Sequence, residues 1–344
     1  MSPNEGKREK GKSAGEGAPD PVPDSVYTRR QILGATAAAA ATVAGAAFLY
    51  DREGGGRPPG RDEPLRRVPD HRVKIAQGAA KMAIARGPSP GENARRAIEA
   101  VGGMSAFVRR GESVVIKPNV GWNRLPEQAA NTDPDVVAAV VRAVKAAGAS
   151  QIWVFDVPVN NAERCFARSG IGEAARAAGA TVLLPDSNDF RHVQVGGVTL
   201  RTAKVFYALL QADRVINLPV AKHHGLTGAT LAMKNWYGVL GGHRVLLHQD
   251  IHRSVVDLAV MVKSTLTVLD GTRLLMANGP SGGSLDDVKA GKVVAASSDE
   301  VAIDAFGATL LDRRPEQIAF IGLAEQKGLG TADYRSLDPV EMGS

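Results

Sequence analysis

Residues 113–156 read SVVIKPNVGWNRLPEQAANTDPDVVAAVVRAVKAAGASQIWVFD. The run Ser113-Val114-Val115-Ile116-Lys117 is short, apolar and β-branched, as a strand buried on both faces should be. Asp133-Pro134 joins a capping carboxylate to a proline at the first helical position, and the helix it starts runs to Ala147 and stops at Gly148. Gln151 to Phe155 is the next strand. Strand, helix and strand in so short a span predict a right-handed βαβ unit. Working outward, a strand is expected at Val73–Ala76 and a helix at Asn93–Val101. Downstream come a helix at Gly172–Ala178, strands at Thr181–Leu184 and Arg214–Leu218, and a helix at Thr227–Trp236. A helix at Asp250–Val262, strands at Leu266–Leu269 and Lys292–Ala296, and a helix at Asp299–Leu311 follow. This alternation predicts an α/β fold with a mainly parallel sheet flanked by helices, either as one body or as two lobes around a crevice.

Composition narrows the function. The chain has 344 residues, 44% of them apolar, enough for one large core. Its 42 Lys and Arg against 36 Asp and Glu give a spread charge of +6, and only 5% of residues are aromatic. A basic face with stacking platforms is therefore missing, and no nucleic-acid partner is expected. The single cysteine, Cys165, excludes an intramolecular disulfide and any iron–sulfur cluster held by this chain. A divalent metal would have to be held by histidine nitrogen and carboxylate oxygen.

The first seventy residues stand apart. Residues 1–26 lack apolar periodicity and read as a disordered cytoplasmic tail. Residues 27–50 open on Tyr27-Thr28-Arg29-Arg30-Gln31-Ile32-Leu33 and continue without charge or proline to Tyr50. Paired arginines before an Ala- and Gly-rich run resemble a twin-arginine export signal. Ala44-Gly45-Ala46 offers a cleavage site, yet the run is also long enough to serve as an N-terminal membrane anchor. Residues 51–70, with Gly54-Gly55-Gly56, read as a linker, leaving 71–344 as the α/β domain. The expected partner is the twin-arginine translocation machinery. The expected location is periplasmic, extracellular or anchored on the outer side of the cytoplasmic membrane.

Polar residues gather directly after strands: Lys117-Pro118-Asn119, then Asp156, then Asn217 with Lys222-His223-His224, then Asp270-Gly271. In open α/β sheets the ligand crevice lies beyond the carboxyl ends of the strands. One aspartate there is a turn or a cap; the coincidence of several points to a site. Two lysines, two histidines and glycines between Lys222 and Asn235 favour a small anionic ligand. Asn278-Gly279-Pro280-Ser281-Gly282-Gly283 is a second flexible loop after a strand. His223, His224, His243, His248 and His252 cluster, and His248 and His252 are four residues apart, so His224, His243, His248 and His252 are candidate metal ligands. No Gly-x-Gly-x-x-Gly opens the first βαβ unit, so a dinucleotide reading lacks its main support.

Several segments resemble the family called domain of unknown function 362. They are Val115–Asn119, Asn131–Pro134, Lys222-x-His224-x-Leu226-Thr227-Gly228 through Lys234-Asn235, Asn278–Pro280, Asp299 through Asp304, and Gly328–Gly330. Members of that family often carry a cysteine-rich iron–sulfur module, which this chain lacks. A fainter similarity is to the nickel-pincer lactate racemase group, where the residues matching His224, Lys234 and His248 are a catalytic histidine, a cofactor-tethering lysine and a nickel ligand. The racemase segments Asp-x-Thr-Arg-Pro and Gly-Gly-Arg-Lys are not reproduced here, so this similarity bears on fold and site position.

The expectation is an exported enzyme acting on an anionic small molecule at the carboxyl edge of the sheet, with an unknown cofactor that includes the option of a His-bound divalent metal. His224, Lys234 and Lys117 are the candidate catalytic residues. Asn119, Thr132, Asp133, Asp156, Lys222, Asn235, Asp270, Asn278 and Gly279 are the candidate substrate contacts. The alternative is a non-catalytic binding protein for an anionic ligand or metal.

Overall fold

The computed structural model describes residues 65–242 and 244–343. The expected tail, export signal or anchor, most of the linker, and His243 lie outside the described residues. The strands are β1 (Arg66–Arg67), β2 (Met82–Arg86), β3 (Ser113–Pro118), β4 (Gln151–Val154), β5 (Thr181–Val182), β6 (Phe190–Gln194) and β7 (Thr202–Phe206). They continue as β8 (Arg214–Leu218), β9 (Val220–His224), β10 (Gly228–Thr230), β11 (Leu266–Leu275), β12 (Val288–Ser297) and β13 (Val340–Met342). The helices are α1 (Pro90–Ala100), α2 (Pro134–Ala146), α3 (Ala162–Arg168), α4 (Ile171–Ala178) and α5 (Ala208–Gln211). After them come α6 (Ala232–Asn235), α7 (Ile251–Met261), α8 (Glu300–Leu310) and α9 (Ala319–Gln326).

The large sheet runs β13-β2-β12-β11-β8-β3-β4-β5, with β9 joined to β11 and β10 to β9. Its centre is parallel: β3 pairs with both β4 and β8, and β8 with β11. The long β11–β12 pair and the β12–β2 pair are antiparallel, which makes the sheet mixed. Period-two alternation sends successive side chains to opposite layers. Ala83, Ala85, Val114 and Ile116 meet a core with α1, α2 and α4, whereas Met82 and Ile84 face α8 and α9. Val115 and Val215 pack on a third cluster that includes Trp236 and Leu258. Helices therefore cover both faces.

The β3–α2–β4 unit forms as its residues dictate. The Asp133 side chain accepts from Asp135 N, Pro134 occupies the first turn, and Gly148 at φ +91° ends the helix. Val136, Val137, Val140, Val141 and Val144 bury one face of α2. Each such side chain removed from water contributes about 1.5–3 kcal/mol against the entropy of ordering it.

Four expectations are corrected. Val73–Ala76 is not a strand; Val73 and Ile75 pack on the core as irregular backbone without a ladder partner, and the sheet begins instead at β2. Thr227–Trp236 is not one helix. Gly228 at φ +78° and the β-branched Thr230 extend the chain into a hairpin, pairing His224 with Gly228 and Lys222 with Thr230, and only Ala232–Asn235 is α-helical. Arg66–Arg67, at the end of the expected linker, pairs with Val193–Gln194 in a separate sheet of order β1-β6-β7. Finally, the strand expected at Leu266–Leu269 runs on to Leu275 as β11, so Asp270 lies within it; the described residues fall in one compact unit, the first of the two arrangements expected. Among the described residues no helix is long and apolar enough to cross a membrane.

Candidate functional site

The parallel centre of the sheet delivers β3, β4, β8 and β9 to one edge, where a cavity of about 300 Å³ opens. At its base Lys117 Nζ lies 2.9 Å from Asp156 Oδ1 and donates to Asn235 Oδ1 at 2.8 Å. The Asp156 carboxylate is held by backbone donors as well, Val120 N at 2.6 Å and Val157 N at 2.9 Å. Lys222 Nζ donates to Asn119 Oδ1 at 3.1 Å and to the Ala130 carbonyl. Asn119 Nδ2 in turn donates to Asn235 Oδ1 at 3.0 Å, and Asn235 Nδ2 reaches Lys117 O and Asn217 Oδ1. The network thus ties four strands together through side chains that have few other ways to be satisfied when buried.

A second tier supports it. Glu300, half-buried, accepts from Trp236 Nε1, Ser264 Oγ, Thr267 Oγ1 and Asn217 Nδ2. Asp304 accepts from the Ala232 and Met233 N–H groups and so anchors the first turn of α6, which carries Lys234 and Asn235. Burial pushes the carboxyls of both Glu300 and Asp304 above the usual range.

Electrostatics give the cavity its character. Around one carboxylate, Asp156, stand Lys117, Lys222, Lys234 and Arg244. Burial lowers Lys117, with Asp156 pulling the other way. Lys222 is pushed down to about 7 by burial and by the neighbouring ammonium of Lys234. Lys234 is pushed down to about 8 by burial, with Arg244 and Lys117 adding to it. Its Nζ stands 4.7 Å from the centre of the Tyr237 ring and has no acceptor oxygen among the described residues. Thr230 Oγ1, also buried, has no hydrogen-bond partner there.

His224 is pushed down to about 3 by burial and then by Lys234 and Lys222. Its Nδ1 accepts from Leu226 N at 3.1 Å and Thr227 N at 3.4 Å. The neutral ring therefore carries its proton on Nε2 and offers a donor there. A metal bond at Nε2 would require that proton to leave against two backbone donors holding Nδ1.

Of the expected site residues, Lys117, Asn119, Asp156, Lys222, His224, Lys234, Asn235 and His248 line this cavity. Thr132, Asp133 and Asp270 do not: their polar atoms are spent inside the fold. Thr132 Oγ1 donates to Leu218 O, Asp270 accepts from Asp133 N, and Asp133 pairs with Arg273. Asn278 holds Asp287, and Gly279 N donates to His223 Nδ1, so the loop presents Pro280 to the cavity instead. His252 stacks against Phe320. It shares no helical face with His248, because Asp250 breaks the run and α7 begins only at Ile251. Among the described residues no group of three or more His, Cys, Asp or Glu side chains is placed to hold a metal, and His243 lies outside them.

Sequence reasoning passed over Trp122, Thr230, Tyr237, Gly238 and Arg244, all of which line the cavity. Gly238 carried a signal in its position just past Lys234-Asn235. A Cβ there would stand 1.8 Å from Asp156 Oδ1 and 2.4 Å from Lys117 Nζ, so only glycine admits the ion pair. The Thr230 signal existed only in the hairpin register.

An α/β sheet with a basic cavity at its carboxyl edge defines the class, and the comparisons supply the family. Residues 114–309 match the family described as Domain of unknown function (DUF362), and the chain belongs to it. The chain is 30% identical over 251 residues to the thylakoid-associated protein sll1697 of Synechocystis sp., covering 68% of this chain and 74% of that protein. Among solved structures it is similar to the lactate racemase apoprotein of Thermoanaerobacterium thermosaccharolyticum, at 14% identity and a TM-score of 0.37, covering 73% of this chain. This chain spans 60% of that racemase's length.

Proposed function

We propose that this chain is an enzyme that binds a small anionic molecule at the carboxyl ends of β3, β4, β8 and β9 and moves a proton on it, with Lys234 as the proton carrier. The observation that carries the reading is Lys234 itself, a buried ammonium with no acceptor oxygen among the described residues. An uncompensated buried cation is costly, and a ligand's negative charge is the natural compensation. Among the described residues one carboxylate lines the cavity, Asp156, and it is already engaged by Lys117 and two backbone donors. An amine held near neutrality also suits proton transfer at physiological pH. In this scheme Nζ is the ammonium in the resting complex, releases its proton to solvent for the turnover step, takes one from the substrate and so returns to the ammonium that faces the anionic group. Lys222 and the Nε2–H of His224 hold that group, while Thr230 Oγ1 completes its hydrogen bonds.

The test is a panel of small carboxylates and phosphates incubated with the protein in D₂O and followed by NMR. Deuterium entering a position beside the anionic group, lost in Lys234→Met with the fold intact, supports the reading. Anion binding without exchange or turnover makes the chain a binding protein, and no anion binding overturns the proposal outright.

Export by the twin-arginine route is proposed alongside, supported by Arg29-Arg30 ahead of the uncharged run 32–50. Replacing both arginines by lysine should hold the protein in the cytoplasm on cell fractionation. An unchanged distribution sinks it.

A further inference from the structure

A second hollow, of about 330 Å³, is lined by Asn123, Arg124, Asn160, Asn161 and Arg164. These residues continue the two loops that wall the main cavity, since Gly121 and Trp122 precede Asn123, and Val157 and Val159 precede Asn160. Val159 N donates to Gly121 O at 3.0 Å and Asn123 N donates to Asn160 Oδ1 at 3.1 Å, so the loops are fastened side by side. The same bonds decide which way the carboxamides face. Asn160 has spent its oxygen on Asn123 N, and Asn161 has spent its oxygen on Arg164 N at 3.0 Å as the cap of α3. Both are left with their NH₂ donors. Arg124 gives Nε to Ser281 O and Nη2 to Gly282 O, which fixes its guanidinium while leaving Nη1. Arg164 is exposed and makes no ion pair among the described residues.

A hollow lined by two guanidiniums and three carboxamides, with no carboxylate among its lining residues, has the chemistry of an oxyanion site. We infer that this rim hollow is a second oxyanion subsite, and that the ligand of the main cavity is a bis-anion whose far carboxylate or phosphate is held by Arg124 and Arg164. The inference rests on the anion-binding reading of the main cavity and adds to it the substrate class. The Arg124 bonds to Ser281 and Gly282 also link this subsite to the loop that presents Pro280 to the cavity.

Calorimetry with straight-chain monocarboxylates, α,ω-dicarboxylates and ω-phosphonocarboxylates of increasing length tests it. At one matching length the bis-anion should bind at least about tenfold more tightly than the monocarboxylate. The better of the two bis-anion series identifies the terminal group. Arg164→Gln should erase that ratio, and Arg168→Gln, also exposed on the same helix, should keep it as a control for net charge. Monocarboxylate binding with a ratio near one at every length refutes the rim subsite and leaves the cavity reading standing. Equal loss of the ratio in both variants also refutes it. Failure of every anion to bind refutes both.

Discussion

Binding of an anion in the cavity should draw protons from solution. Lys222 is held at about 7 and Lys234 at about 8, because burial and the other cations oppose their charged forms. At pH 7 the first is about half protonated and the second about nine-tenths. A bound carboxylate reverses part of the penalty and raises both values. If both amines end fully protonated, uptake is about 0.1 proton at pH 6, about 0.6 at pH 7 and about 1.4 at pH 8. Affinity must then fall as pH rises, with a slope equal to the uptake. Calorimetry in buffers of different ionisation enthalpy reads the number directly, since observed heat varies linearly with buffer enthalpy. The probe should be the tightest-binding carboxylate of the panel, which stays ionised across this range. Lys222→Met should cut the uptake at pH 7 to about 0.1, leaving the Lys234 share. Tight binding at pH 8 with no buffer dependence would refute the reasoning, because it would mean that both amines are charged before the ligand arrives.

Three further outcomes are expected. Asp156→Asn leaves Lys117 buried without its carboxylate and should cost about 3–5 kcal/mol in urea unfolding; a loss below about 1 kcal/mol would count against the buried pair. Thr230→Val removes a hydroxyl that bonds nothing in the fold, so stability should hold within about 1 kcal/mol while carboxylate binding weakens about tenfold, and unchanged affinity would remove Thr230 from the site. Asp270 is raised to about 6 by burial and then by Asp133. Between about pH 4 and 6 the folded chain keeps a proton that the unfolded chain releases, so this group's stabilisation is fully present at low pH and lost as pH rises, by up to about 3 kcal/mol. Asp270→Asn should gain on the wild type across that window in urea titrations; parallel curves would show that Asp270 does not carry the effect.

The β3–α2–β4 unit was legible because its signals are local. A β-branched run, a capping Asp-Pro pair and a glycine stop each act within a few residues. The hairpin at 220–230 was not, since Lys222 to Asn235 holds both turn-forming glycine and good helix formers such as Ala232 and Met233. The choice went to β pairing because β9 could join β11, a contact made over forty residues away in the chain. That pairing brings Thr230 beside Lys222 and aims it into the cavity.

By itself, the sequence determined that Lys, His, Asp and Asn gather at and just past strand ends, and that a single cysteine allows no intramolecular disulfide and no multi-thiolate cluster. Which carboxylates serve the site was decided only by tertiary structure. Asp133 caps a helix, Asp156 follows β4 and Asp270 lies within β11, yet only Asp156 faces the lysines. Asp133 and Asp270 are consumed by Arg273, Thr272 and backbone donors. Buried polar groups take the nearest partners that folding brings them, and for Asp133 that partner, Arg273, lies 140 residues away in the chain.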